Sequence, residues 1–339
     1  MTANLSPASK PLISSQLSFL GSGDELEVRA YDAVYSYSDL GAKIMMALKD
    51  RLDGSRSMAD LADEVGVPLE KLGEALAVLR DDGLIIDAGI MDAAQSPDEV
   101  FDAYFSFCQF WVKEVFIQPF WSVLLSGEAG RNLVLGWGIE FYHYVYSVNE
   151  HLANAVSYCR TDKMARRWIA QHYVEEHDHA EIFLEGLAAC GLDREQVRNA
   201  PPLASTRALI NFLNELALSD SLGYLSAFGI MQAPGSGRPR GSHNRFYDGL
   251  VKHYGFAAGL FEAFRKHASI DDDLGHDDML LKRLIRREQD VPPERRRKMM
   301  TAARDTSEYF VLYFEGIYEF YTGPGVIIPR RPFDIRMVL

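Results

Sequence analysis

At 339 residues the chain has room for two domains of about 100–200 residues each. Hydrophobic residues make up 47 % and charged residues 24 % of it, the balance of a globular protein with a sizeable core, so disordered and fibrous classes are excluded. The formal net charge of -13 repels phosphate backbones and argues against nucleic acid as a partner.

Cys108, Cys159 and Cys190 stand far apart with no CxxC pair. That excludes a disulfide framework and a zinc ribbon, and it fits a reducing cytoplasm. No apolar run reaches about 18 residues, so no membrane span is predicted. The first residues lack a basic stretch followed by an apolar one, so no secretory signal is read.

The Ser- and Pro-rich residues 1–20 predict a loose N-terminus. ELEVRAYDAVYSY alternates as a strand or two. Ser38 and Asp39 are placed to cap a helix ending near Asp53-Gly54, and Ser57 to cap a second, MADLADEVG. A third carries Leu69, Leu72, Leu76 and Leu79 on one face and stops at Gly83, before a short strand, LIID. Helix, turn, helix, strand describes a small winged-helix α+β domain over residues 21–95.

Its charges argue against DNA. From Ser57 to Asp92 there are nine acidic residues and two basic ones, Lys71 and Arg80, too few cations to neutralise phosphates. The stretch ALKDRLDGSRSMADLADEVGVPLEKLGEALAVLRDDGLI resembles the PqqD-like domains of peptide-modifying pathways. That resemblance implies a precursor peptide as partner, added as a strand to a sheet edge. The other reading is a packing or dimerisation module, with a homodimer as its product.

From Ser96 onward the periodicity is helical, so residues 96–325 predict a mainly α bundle, with 326–339 as a C-terminal tail. The long amphipathic stretches are VFDAYFSFCQFWVKEVF, RNLVLGWGIEFYHYVYSVNEHLANAVSY, ARRWIAQHYVEEHDHAEIFLEGLAACG, RALINFLNELALSDSLGYLSAFGIMQ (capped by Ser205 or Thr206), FAAGLFEAFRKHASIDDDLGHDDMLLKRLIRREQ (with Gly275 as a point where it can break) and PPERRRKMMTAARDTSEYFVLYFEGIYEFY. The tyrosines and phenylalanines read as core. GSGRPRG lacks the Walker Lys-Ser/Thr and is no phosphate loop.

Two stretches concentrate histidine and carboxylate. In HYVEEHDH, Glu176 and His179 stand three apart and share a helix face with His172 and Glu175, whereas His177 points elsewhere. Glu-x-x-His aimed into a bundle is the ligand unit of di-iron and di-manganese carboxylate proteins. Carboxylates bridge metals and supply charge, and neutral imidazole suits iron. In KHASIDDDLGHDD, His267 and Asp271 stand four apart, and His276 follows. The two clusters together predict a metal site.

Here the chain resembles the heme-oxygenase-like di-iron oxidases and oxygenases, the superfamily of TenA-like and PqqC-like enzymes. FRKH followed by Asp271 matches its F-x-x-H-x-x-x-D signature, and the likeness runs from about Phe116 through FYHYV, the Glu-x-x-His helix and GLVKHYG, some 200 residues. The resemblance implies Fe(II), two ions in the family pattern, with O2 as co-substrate. Glu176 and His179 match the first ligand pair, and His267 and Asp271 the third-helix pair.

Two positions depart from that pattern. The family's second histidine falls at Leu274, with His276 two residues late. The intervening helix, aligned on LSAFGIMQAP, has no carboxylate, so Asp220 or Glu215 would have to serve. On one straight helix His276 lies about 180° from His267. Either Asp273 and His276 form the inward pair, or the helix loosens at Gly275 and swings His276 round. The second is the reading adopted.

The expectation is therefore a non-heme iron oxidase or oxygenase acting on a small molecule or peptide in specialised biosynthesis, with metal ligands Glu176, His179, Asp220, His267, Asp271 and His276. The alternatives are a PqqC-like cofactor-independent oxidase and a non-enzymatic peptide-binding scaffold. Metal content separates the first from the others.

Overall fold

The computed structural model describes residues 5–30, 33–159, 162–233, 241, 243–274 and 280–331. The chain divides into two compact units: residues 1–118 with 285–300, and residues 119–284 with 301–339.

The first unit opens with β1 (Pro11–Ile13), β2 (Ser18–Ser22), β3 (Glu25–Ala30) and β4 (Ala33–Ser38). The helices α1 (Asp39–Leu48), α2 (Met58–Val65) and α3 (Leu69–Asp81) follow, then β5 (Ile85–Asp87), α4 (Ile90–Ala93) and α5 (Pro97–Phe116). β2, β3 and β4 form an antiparallel sheet in that order, with Val28 opposite Phe19 and Tyr35. β1 pairs with β5, Leu12 opposite Ile86.

Alternation on β3 turns Leu26 and Val28 inward, where they meet Met45, Leu48, Leu61, Leu72, Leu76 and Leu79. Ser57 caps α2 as expected, in a reciprocal box with Asp60. Ser38 precedes α1 but its side chain makes no cap bond.

The loose N-terminus expected over residues 1–20 is corrected: residues 11–13 and 18–22 are strands. Their anchor is Glu114 on α5, 2 % exposed, whose Oε1 accepts from the Ser14 hydroxyl at 2.9 Å and the Ser15 amide at 2.8 Å. A carboxylate buried this deeply needs such donors. It also explains why this unit runs past the expected break at residue 95 to include α5. Residues 285–300 belong here too, and the Arg296 guanidinium donates to the Met91 and Ala94 carbonyls, both at 2.9 Å.

The second unit is helical: α6 (Pro119–Ser126), α7 (Arg131–Tyr158), α8 (Lys163–Glu176), α9 (His179–Ala189), α10 (Arg194–Asn199), α11 (Ala204–Ser219), α12 (Ser221–Gln232), α13 (His243–His253), α14 (Ala258–Leu274) and α15 (Leu280–Ile285), joined from residue 301 by α16 (Pro293–Tyr321). α7 packs against α8, α9, α11 and α12, and α9 against α14. No helix among the described residues is long and apolar enough to cross a membrane.

Two stretches expected as single helices are broken. ARRWIAQHYVEEHDHAEIFLEGLAACG divides at His177-Asp178 into α8 and α9. Acidic residues at the end of α8 oppose its dipole. The carbonyl of His177, left outside either helix, accepts from Asn149 Nδ2 on α7 at 3.2 Å. The second stretch divides at Asp220, which leaves helical geometry and caps α12 by accepting from the Leu222 amide at 3.0 Å. Neither Ser205 nor Thr206 caps α11. The Leu203 amide at its start donates instead to Glu140 Oε2 on α7, at 3.0 Å.

α9 and α14 come together through glycine. A Cβ on Gly186 would lie 2.7 Å from Ala263 Cβ and 2.8 Å from the Gly259 carbonyl; one on Gly259 would lie 2.6 Å from Ala189 Cβ. Only hydrogen fits at this crossing. From it, α9 runs back seven residues to His179 and α14 runs forward eight to His267. At 1.5 Å per residue those are similar distances of about 10–12 Å, so the antiparallel pair brings the two histidines level.

Candidate metal centre

Glu176 ends α8 and His179 begins α9. They do not share one continuous helix, as the sequence suggested, yet the two-residue break keeps them together: His179 Nδ1 lies 2.7 Å from Glu176 Oε2. His267 comes from α14 and meets His179 edge-on, ring centroids 4.8 Å apart. Phe183 packs on His267 at 5.3 Å and closes the apolar side. Glu176 and His179 are 8 % and 5 % exposed.

One donor atom each from Glu176, His179 and His267 lies within 4.8 Å of the others. Two donors on one ion, each about 2 Å from it, are at most about 4 Å apart, so small side-chain movements close the set. Two imidazoles and a carboxylate with open positions are the facial donor set of non-heme Fe(II) enzymes. The residues fit iron.

Burial alone would raise the Glu176 carboxyl. The His179 hydrogen bond and the positive potential of His172, His179 and His267 outweigh it and hold the carboxyl below its ordinary value. It is therefore poised as an anion for a cation.

The remaining predicted ligands divide. Asp271 pairs with His267 Nδ1 at 3.1 Å, a carboxylate orienting an imidazole one step from the trio. His172, 7 % exposed, sets Nε2 3.9 Å from Glu176 Oε1. Asp220 is engaged as the α12 cap and stands outside the trio, and Glu215 is exposed on α11. His276 and Gly275 lie outside the described residues, so the helix loosening expected there does too. His177 is exposed beside Asp178, as its angular position required.

Sequence reasoning missed a buried polar layer around the trio. His151 on α7 is 1 % exposed, and its Nδ1 lies 2.6 Å from the Tyr224 hydroxyl on α12. Burial, then the charge of His172, push this imidazole down to about 3, while Glu176 pulls the other way. Tyr144 is also buried within the field of Glu176, which together with desolvation raises its phenol. His151 stands past the aromatic run of α7, in VNEHLAN, where no motif or spacing singles it out.

A helical unit holding a buried imidazole–carboxylate trio defines a class: helical proteins of heme oxygenase-like fold with a site fit for iron. Residues 135–310 match the family described as "Iron-containing redox enzyme", and the chain belongs to that family. At that level it is an oxidoreductase.

Among solved structures, the fold is shared with a domain of unknown function with a heme oxygenase-like fold from Shewanella denitrificans. That match has 17 % identity and a TM-score of 0.51 over 69 % of this chain and 97 % of that one. A TenA homolog from Pseudomonas syringae pv. tomato is similar at 16 % identity and TM-score 0.49, covering 67 % and 95 %. No curated protein sequence matches the chain.

Proposed function

We propose that this chain is a non-heme iron oxidase or oxygenase that uses O2 on a small molecule or peptide of specialised biosynthesis. The observation that carries the reading is the convergence of Glu176, His179 and His267 from three helices on one buried point. Those residues would hold Fe(II), with Asp271 orienting His267. Bound iron supplies one-electron redox chemistry toward O2. The protein's part is to hold the ligands, keep Glu176 ionised and exclude water with Phe183, which packs on His267 at 5.3 Å, and Phe264, which packs on Phe183 at 5.0 Å.

The missing carboxylate on the α12 stretch favours one iron over two. Tyr224 and Phe228 occupy that stretch, and Phe228 lies edge-on to His172 at 5.3 Å. The N-terminal unit is proposed to take a peptide partner: β2 and β4 are the outer strands of its sheet, and its helices carry an excess of acid.

The test is anaerobic loading with Fe(II), metal analysis, and exposure to O2 while absorbance is followed. One iron per chain with O2-dependent spectral change supports the reading. A chain that takes up no Fe(II) overturns it.

A further inference from the structure

Two residues of HYVEEHDH stay outside the trio although they share its helix face: His172 and Glu175. His172 lies on α8, one turn before Glu176. Glu176 turns its two oxygens to different imidazoles. Oε2 is 2.7 Å from His179 Nδ1, and Oε1 is 3.9 Å from His172 Nε2. The second separation is already within the limit of about 4 Å for two donors on one ion. An ion held by this carboxylate therefore has an imidazole nitrogen near either oxygen.

His172 is also oriented as a ligand is oriented. Its Nδ1 faces Glu175 Oε2 at 3.7 Å, and Glu175 Oε1 in turn accepts from Gln171 Nε2 at 3.0 Å. His267 has the same arrangement, with Nδ1 3.1 Å from Asp271. In both pairs a carboxylate one turn along the same helix takes the Nδ1 side and turns Nε2 the other way. Packing alone would be served by an apolar side chain at His172, which is buried and has Phe228 edge-on at 5.3 Å. An imidazole there costs desolvation, and a cation on Nε2 would offset it.

We propose that His172 is a fourth protein ligand of the metal centre, binding through Nε2 on the Oε1 side of Glu176, and that Glu175 is its positioning residue. The inference rests on the proposed function for the presence of a metal at the trio. It also narrows what that metal takes up. Four protein ligands leave an octahedral ion at most two open positions. O2 and one substrate atom fill them, whereas a chelating 2-oxo acid beside O2 needs three. The substrate is then one that meets iron through a single atom or not at all.

The test counts imidazoles. A ligated imidazole keeps one N–H, and in Co(II)-loaded protein each such proton gives a strongly shifted 1H resonance that disappears in D2O. Three are expected in the wild type. Two are expected in His172→Ala, with Co(II) affinity lowered by at least about tenfold. His172→Gln, closer in size and polarity, is expected to give the same count, and circular dichroism checks the fold of both. Glu175→Gln is expected to keep three resonances and to move that of His172 most, which a residue serving stability alone would not do. In the Fe(II) protein with nitric oxide in place of O2, pyruvate, a chelating 2-oxo acid, is expected to leave the EPR spectrum unchanged.

Two shifted resonances in the wild type, three that survive the loss of His172, equal Co(II) affinity in wild type and His172→Ala, or a pyruvate-dependent nitrosyl spectrum would overturn the inference and leave the trio in place. A wild type that takes up neither Co(II) nor Fe(II) overturns the proposed function as well.

Discussion

Glu176 and His179 meet at 2.7 Å across the break between α8 and α9, and the break is what lets them meet with their partner from α14. On an uninterrupted helix residues three apart share a face about 60° wide, but their side chains follow one axis. With a turn between them, one residue belongs to the end of α8 and the other to the start of α9, the helix that packs on α14.

Single substitutions of the trio are therefore expected to abolish iron uptake. Glu176→Ala, His179→Ala and His267→Ala each remove one of three donors, whereas His177→Ala, at an exposed position of the same stretch, leaves uptake unchanged. Asp271→Asn, which weakens the orientation of His267, is expected to lower affinity by about 10–100-fold. Metal analysis after equilibrium dialysis reads all five variants, and full uptake in the three alanine variants would refute the assignment.

Asp220→Ala separates a ligand from a cap. As the cap of α12 the residue contributes about 1 kcal/mol, so the melting temperature falls while iron stoichiometry stays the same. Loss of iron without loss of stability would return Asp220 to the ligand set.

The glycine crossing gives a test remote from the metal. Gly186→Val must push against the Gly259 carbonyl and Ala263, neither of which can rotate away. A cost of about 1–3 kcal/mol is expected from overpacking. Separation of α9 from α14 is also expected to weaken iron binding, although the substitution lies two helical turns from His179. Unchanged thermal stability and iron affinity would show that the helices are not held at this point.

Glu140 supplies a pH signature. Buried on α7, it accepts from Tyr321 at 2.8 Å and from the Leu203 amide, yet desolvation dominates and raises its carboxyl above the ordinary 4.5. The folded state thus holds the proton to higher pH than the unfolded state. Its stabilising contribution is full below about pH 4.5 and is lost as pH rises through the folded value. Glu140→Gln lacks this titration, so the stability difference should move in favour of the variant as pH rises, read by urea unfolding at several pH values. A pH-independent difference would contradict the shift.

Much of this arrangement was legible in the sequence, and the parts that were not have physical causes. The span of α7 follows from apolar spacing, and the Ser57 cap from a local pattern that needs no tertiary partner. Glu176, His179 and His267 could be singled out from residue types and spacing, and the fold brings their donor atoms within 4.8 Å of one another. The breaks at His177-Asp178 and Asp220 were hidden, because both stretches keep helical periodicity on either side and the compensating bond from Asn149 comes from another helix. Asp220 was read as a candidate ligand for the same reason: an acidic residue within a helical pattern shows its charge but not its capping role. His151 was invisible because its hydrogen-bond partner lies 73 residues away.

The path of the chain between the units has a consequence for synthesis. It leaves the first unit after Gln118, returns at Ile285 and leaves again after Met300, so residues 285–300 complete a unit whose other residues were made first. Val291 and Met299, both fully buried, are part of that late segment. On the ribosome the N-terminal unit must wait, unfinished, while the whole stretch bearing Glu176, His179 and His267 emerges. Order of translation and order of completion are inverted, and no single cut in the chain yields two intact halves.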